Sequence, residues 1–405
     1  MEKIIINGKY TNASLYAKTF NDDLIAQLVE LINHPVSKNS KIAIMPDTHV
    51  GKGCTIGTTM TIHDRVSPSL VGSDIGCGVL VVNLGKEELD LERLDNIVTN
   101  YVPLGANVHE HISRESQGFF NKNKLIAELK RSTPLYSLGT LGSGNHFISV
   151  EQSEDGENYL LIHTGSRNLG TQVADYWEKV ANLEMSRDEI VDIPGLIQRL
   201  KDEGRKLEIE QAIKVAKEKN KEVEKRNQSP LAYLTGQNME DYIHDMKITQ
   251  LFAVKNRETI ANAIVNNYFS KNLQDFEYFH TIDNYINMDD VILRKGAISA
   301  NKGEIVVIPL NMRDGSLIAI GKGNPDWNYS APHGAGRLMS RGQAKEEITM
   351  KEFRESMQGI YTTSVNESTV DEAPFAYKNA EEIIECVEDT VEIVKHLKPI
   401  YNRKA

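Results

Sequence analysis

Cysteine is scarce in this chain: its 405 residues include three, Cys54, Cys77 and Cys386. Three thiols so widely spaced make no disulfide framework, and they fit a reducing compartment. Long apolar runs are missing as well. Nothing approaches the ~20 residues that cross a bilayer. The N-terminus, MEKIIINGKY, lacks the basic and then apolar pattern of a secretory leader. The expectation is a cytoplasmic protein with no membrane partner. Positive charge is also in deficit, with 46 Lys and Arg against 57 Asp and Glu. That excludes a protein that coats nucleic acid through its overall charge. A local basic groove remains compatible, and Arg167, Arg294, Lys295, Arg337 and Arg341, in or near glycine-rich motifs, are its candidates. The plain alternative is that they are solvated surface charges.

Repeats, low-complexity tracts and clear linkers are absent too, so the chain reads as one large mixed α/β (α+β) domain over 1–405. Residues 1–45 read as strand, helix, strand. Ile25, Leu28, Val29 and Ile32 have helical spacing, and Ile42–Met45 is a buried strand delivering Pro46 and Asp47 into a loop. Val79–Leu84, Tyr159–His163 and Ile305–Ile308 read as strands. Helices are expected over 172–186, 201–226 and 239–270, with a helical insertion at about 197–270, and an amphipathic helix over 379–397 closes the chain.

What the chain does have is five short runs in which glycine flanks reactive side chains: PDTHVGKG (46–53), SDIGCG (73–78), LGSGNHF (141–147), IHTGSRNLG (162–170) and APHGAGRLMSR (331–341). Glycine lets backbone N–H groups approach an anion closely. Five such runs suggest one composite site for metal and phosphate. Asp74 and Cys77 are three positions apart and can face one metal, with His146 and His163 completing the shell. For each residue alone, a buried thiol or a satisfied core histidine is the simpler reading. Asp47, His49 and Lys52 form a second polar group, in which Asp47 can orient a ligand or handle a proton and Lys52 can meet phosphate or simply be solvated. His333 can serve as base, ligand or covalent nucleophile, and Arg337 and Arg341 would share a face if helical.

Together these runs resemble the RtcB family of RNA ligases. PDTHVGKGCTIG, SDIGCGV, LGTLGSGNHF, HTGSRNLG, RKGAIS, HGAGRLMSR and the C-terminal LKPIYNRKA occur in family order along nearly the whole chain. The resemblance implies a ligase for RNA repair or tRNA splicing that uses GTP and two manganese ions. It implies that His333 attacks the α-phosphate of GTP to give a covalent histidine–GMP. The GMP passes to an RNA 3′-phosphate, itself obtained where needed by opening a 2′,3′-cyclic phosphate, and a 5′-hydroxyl then expels it. By matching positions, Asp74, Cys77 and His146 would hold one metal, and Cys77 and His163 the other. Asp47 matches an aspartate beside the metals. Asn145 with His146, Ser316, Gly334, Ala335, Gly336 and Lys404 match nucleotide contacts, and Tyr377 looks like a tyrosine near the guanine. The resemblance leaves open an activating protein partner.

Three departures fall on that site. Asp283-Asn284-Tyr285 stands where the family has a His-Asn pair, so the third ligand of the second metal is Asp283 or the nearby His280. Ser149 replaces a glutamate that contacts guanine, which puts nucleotide selectivity in question. Pro309-Leu310-Asn311-Met312-Arg313 replaces Pro-Gly-Ser-Met-Gly, and loss of both glycines should reshape that nucleotide loop. The alternatives are a metal-dependent RNA-end phosphatase or phosphodiesterase on the same scaffold, or a non-catalytic binder of RNA ends.

Overall fold

The computed structural model describes residues 3–187, 189–226 and 228–404. The run beginning at Ile42 forms the strand Ile42–His49, buried on both faces as an unbroken apolar start requires. It lies inside a six-stranded sheet ordered Ile4–Asn7, Asn12–Leu15, Ile42–His49, Ile56–Thr61, Ile292–Lys295, Asn284–Asn287. The helix Asp22–Ile32 packs on it. Asn21 caps that helix by accepting from Leu24 N–H, and Leu24, Leu28, Leu31 and Ile32 are buried. They share one apolar cluster with Ala13, Ile42 and Ile44.

A second sheet follows the order Tyr278–Ile282, Gly78–Gly85, Asn158–Thr164, Phe147–Gln152, Val391–Lys404, Gly315–Gly321, Ile305–Asn311. The strands expected near 79–84, 159–163 and 305–308 are three of its members. Its two ends nearly meet, with Val307 N–H donating to Thr281 Oγ1 at 3.1 Å. The sheet therefore curls around Val79, Phe147, Leu161, Val307, Ile318 and Leu397.

The expected closing helix over 379–397 is corrected. The helix is Ala380–Val387, and Val391–Lys404 is a strand of 14 residues. Val391, Ile393 and Val394 are β-branched and disfavour helix, and Pro399 forbids its continuation. Two partners reward the extended form, Gly315–Gly321 along its first half and Phe147–Gln152 along its second.

The helix expected over 172–186 runs Arg167–Met185. The stretch expected as one helix over 201–226 is two, Ile193–Asp202 and Ile209–Arg226, interrupted around Gly204. The 34-residue helix Gly236–Phe269 differs in kind from that pair. It buries Tyr242, Met246 and Phe252 in one cluster and Ile260, Ile264 and Val265 in another. No helix of the described residues is long and apolar enough to cross a membrane.

The far end of the closing strand is fastened by charge. Lys404 Nζ lies 2.7 Å from Glu372 Oε2, and Arg341 Nη1 lies 2.8 Å from Glu372 Oε1. Tyr377 donates its hydroxyl to Oε2 at 2.6 Å. Burial alone would raise the Glu372 carboxyl, but Lys404 and Arg341 override it and hold the group at about 2. A carboxylate depressed in the folded state stabilises above its unfolded pKa of ~4.3, and that contribution is lost as pH falls toward 2. Glu372→Gln should therefore lower unfolding free energy by about 3 kcal/mol at neutral pH, because it strands buried cations. The loss should be constant above about pH 5 and shrink below it. Urea unfolding of both proteins across pH checks this, and a loss that stays constant down to pH 3 would contradict it.

Candidate active site

Two triads of metal-capable side chains meet at one thiol. Asp74, Cys77 and His146 form the first, and Cys77, His163 and Asp283 the second. Asp74 and Cys77 sit in the loop entering the strand Gly78–Gly85, His146 just precedes Phe147–Gln152, and His163 ends Asn158–Thr164. Antiparallel pairing of these neighbouring strands sets Val79 opposite His163 and Phe147 opposite His163. Residues far apart in sequence are thereby brought together. Gly165 allows the approach, since a Cβ there would lie 2.0 Å from Asp74 Oδ1.

The distances fit a shared cation site. Cys77 Sγ is 3.2 Å from His163 Nε2 and 3.6 Å from His146 Nε2. His146 Nε2 is 3.0 Å from Asp74 Oδ2, and His163 Nε2 is 3.6 Å from Asp283 Oδ2. His146 Nδ1 donates to the Leu141 carbonyl at 2.9 Å, which turns Nε2 toward the carboxylate and sulfur. Nitrogen, oxygen and sulfur acceptors then face one another, and a proton or a metal ion has to stand among them. Burial lowers the pKa of His163, against the pull of Asp283, and favours the neutral imidazole a metal needs. Burial and the carboxylates Asp74 and Asp283 push the Cys77 thiol well up, so a thiolate there calls for a cation. Soft sulfur with imidazole and carboxylate suits a transition-metal ion.

Asp283, not His280, reaches the second triad. His280 turns away, with Nε2 3.6 Å from Glu258 Oε1 and Nδ1 3.4 Å from Arg257 Nε.

His333 stands beside this cluster, its Nδ1 2.6 Å from Asp47 Oδ2. Burial would lower its pKa, but the fully buried Asp47 raises it to about 9. With Nδ1 held, Nε2 is the nitrogen left for chemistry. The HGAG loop presses against Asp47 at Gly336, where φ is +74° and a Cβ would lie 2.0 Å from the Asp47 carbonyl oxygen.

A cavity of about 910 Å³ opens over His333 and the triads. This is the scale of a pocket for a ligand of nucleotide size. Asn145, Asn284, Pro309, Met312, Ser316, Gly334, Ala335, Gly336, Tyr377 and Lys404 line it, with Asp74, Cys77, His163 and Asp283. Asp47, His146 and Ser149 are not among the described lining residues and stand behind the wall. For Asp47 this means orientation of His333 rather than contact with a ligand. Pro309–Asn311 ends the strand Ile305–Asn311, and 312–314 turn tightly into Gly315, where φ is +77°. Asn311 Oδ1 accepts from the N–H groups of Arg313 and Asp314, at 3.0 and 2.9 Å.

The basic groove is corrected for Arg294 and Lys295. Arg294 is fully buried, paired with Asp290 at 2.8 Å. Lys295 donates to the carbonyls of Lys52 and Ser69. Lys52 itself is exposed and pairs with Glu178 at 3.1 Å. Arg337 and Arg341 share no helix face, because the helix begins only at Arg341; both instead contact Glu372. Arg294 and Lys295 are thus taken up by interior partners, whereas Arg337 and the exposed Arg341 line the cavity with their charge shared by Glu372.

Several lining residues escaped the sequence reading: Glu151, Glu372, Lys378 and Asn402. His49, grouped in the sequence with Asp47 and Lys52, also lines the cavity; it is half-buried, desolvation lowers it to about 4, and its Nδ1 lies 3.0 Å from the Asp47 carbonyl oxygen. Burial raises the Glu151 carboxyl to about 7, with hydrogen bonds from Ser316 and Ser149 opposing. Glu151 was accessible to strand logic, since residues two apart share a face and Ser149 had been singled out. Glu372 and Lys378 carried no local signal, being in an irregular segment that only the tertiary fold brings inward.

Comparison with known proteins bears on the same residues. The sequence model of the family described as "tRNA-splicing ligase RtcB" matches residues 27–132 and 107–405. The RNA-splicing ligase RtcB of Escherichia coli (strain K12) is 27% identical over 396 residues, covering 89% of this chain and 88% of that protein. The tRNA-splicing ligase RtcB of Aeropyrum pernix is 26% identical, covering 84% and 82%. The corresponding protein of Methanococcus maripaludis is 26% identical, covering 93% and 90%. With the family matched over nearly its whole length and its motifs gathered about one cavity, this chain belongs to the RtcB family.

Proposed function

We propose that this protein is an RNA ligase that joins a 3′-phosphate or 2′,3′-cyclic phosphate end to a 5′-hydroxyl end, using GTP and manganese. The observation that carries the reading is His333, held through Nδ1 by Asp47 at the edge of a cavity that also exposes Cys77, His163 and Asp283. The relatives' names, RNA-splicing and tRNA-splicing ligase, support RNA ends as the substrate. Residues 1–405 act in this reading as one catalytic unit.

The chemistry follows from what each side chain offers. Asp47 keeps the Nδ1 proton and holds the ring cationic at neutral pH, so Nε2 first gives up its own proton to solvent and its lone pair then attacks the α-phosphorus of GTP. A P–N bond forms, the bond to the β-phosphate bridge oxygen breaks, and pyrophosphate leaves with that electron pair. An oxygen of the RNA 3′-phosphate next attacks the same phosphorus and returns His333 to its free form. The 5′-hydroxyl oxygen then attacks the activated RNA phosphorus, its proton passes to a base, and GMP departs. Bound at Asp74, Cys77, His146, His163 and Asp283, manganese supplies positive charge that offsets the phosphates. Asn145, the Gly334–Gly336 backbone, Ser316 and Lys404 hold the nucleotide in line with His333. Tyr377 borders the same space.

Incubation with Mn²⁺ and α-labelled GTP, followed by a denaturing gel, should show a labelled protein band that His333→Ala abolishes. Metal-loaded protein that takes no label from GTP or ATP, yet processes RNA 3′ ends, would favour a phosphatase or phosphodiesterase instead. The second triad is tested by metal content. Asp283→Ala should lower the manganese bound per chain by about half, whereas His280→Ala should leave it unchanged. Full metal loading of Asp283→Ala would remove Asp283 from the site.

A further inference from the structure

Two buried acceptors in the cavity wall have no partner. Glu151 is 3% exposed and lines the cavity, and its Oε1 accepts from Ser149 Oγ at 2.9 Å and Ser316 Oγ at 3.1 Å. Its Oε2 has no hydrogen-bond partner, and neither has Oδ1 of Asn402, 4% exposed and lining the same cavity. The two belong to one patch. Asn402 lies directly opposite Ser149 across the strand pair, and Glu151 is two residues along the same face of that strand. Buried acceptors are seldom left unpaired in native proteins, and two in one wall of a ligand-sized cavity point to donors on the ligand.

We propose that Glu151 and Asn402 read the base of the bound nucleotide by accepting from two adjacent N–H donors, which selects guanine. The inference rests on the reading of the cavity as a nucleotide site. Guanine presents its N1–H and N2 amino group side by side. Adenine presents a bare N1 beside its amino group, which would set a lone pair against an acceptor. Ser149 and Ser316 complete the device: their hydroxyls engage Oε1 and fix the carboxylate, which leaves Oε2 as its unpaired acceptor. In this chain the residue at 149 does not itself meet the base; it orients the carboxylate at 151. A site built around buried acceptors discriminates strongly against a ligand lacking the matching donor, because the acceptor stays unpaired in the wrong complex.

Equilibrium dialysis of the Mn²⁺-loaded protein with labelled GTP, ITP and ATP tests this. Wild type should bind GTP about tenfold more tightly than ITP, which lacks the N2 amino group, and more tightly still than ATP. Glu151→Gln should bring the GTP-to-ATP ratio to within about threefold of unity, since the carboxamide can donate as well as accept. A Glu151→Gln protein that keeps the wild-type ratio overturns the assignment, as does wild type binding ITP or ATP as well as GTP. Should Glu151→Gln fail to fold, the wild-type GTP-to-ITP ratio and the loss of that ratio in Asn402→Ala decide the matter. Binding with the expected ratios but no labelling of His333 would refute the covalent chemistry and leave this inference standing. No binding of any nucleotide would overturn the nucleotide reading and this inference together.

Discussion

A buried guanidinium holds this site together. Arg257, near the middle of the long helix Gly236–Phe269, is fully buried and donates through Nη1 to the carbonyls of Gly76 at 2.8 Å and Thr164 at 2.7 Å. Gly76 adjoins Cys77, and Thr164 adjoins His163. One rigid cation thus fixes the spacing of two loops whose side chains meet at 3.2 Å. Arginine suits the task because both N–H groups of Nη1 reach a carbonyl and the guanidinium keeps its charge when buried. Burial drives its pKa down to about 10, and Cys77, Asp283 and Asp74 oppose that fall. The acidic triads and the buried cation therefore depend on each other. Asn256 beside it extends the same logic, accepting from Gly139 N–H at 2.7 Å and donating to the Thr140 carbonyl at 3.0 Å.

The second constraint is the closing strand. Val391–Lys404 joins Gly315–Gly321 to Phe147–Gln152, so it carries Asn402 and Lys404 to the cavity opposite Ser149 and Phe147. Glu372 then ties Lys404 to Arg337, Arg341 and Tyr377. Cys77, His333, Glu151 and Lys404 share one cavity for this reason. The curled sheet brings them there, while sequence proximity accounts for none of it.

Much of this was legible in the sequence, and the reason differs between elements. Buried strands such as Ile42–His49 announce themselves through unbroken apolar runs, and the glycine-flanked motifs mark where backbone must come close. The closing strand was misread because IECVEDTVEIVKHLK also satisfies a helical apolar spacing; only its two partner strands decide the outcome. The fate of the arginines was equally hidden. Arg294 and Arg257 carry the same local signature as surface arginines, and burial is a property of the assembled core. Asp283 against His280 was open for a simpler reason: both can bind metal, and only the strand geometry turns one toward His163 and the other toward Glu258.

The departures from the family pattern look different once the packing is known. Asn311 closes the turn ahead of Gly315 by side-chain hydrogen bonds to the N–H groups of Arg313 and Asp314. Ser149 delivers its hydroxyl to Glu151, so a carboxylate still lines that part of the cavity, displaced by one strand repeat. Asp283 brings an oxygen to a position where an imidazole nitrogen would serve, next to the same thiol. Each replacement preserves a function of the local backbone or charge while changing the atom that performs it. A residue-by-residue reading scores these positions as losses. Physically they are substitutions of one donor or acceptor for another within an unchanged frame, and Arg257 with the closing strand is what keeps that frame unchanged.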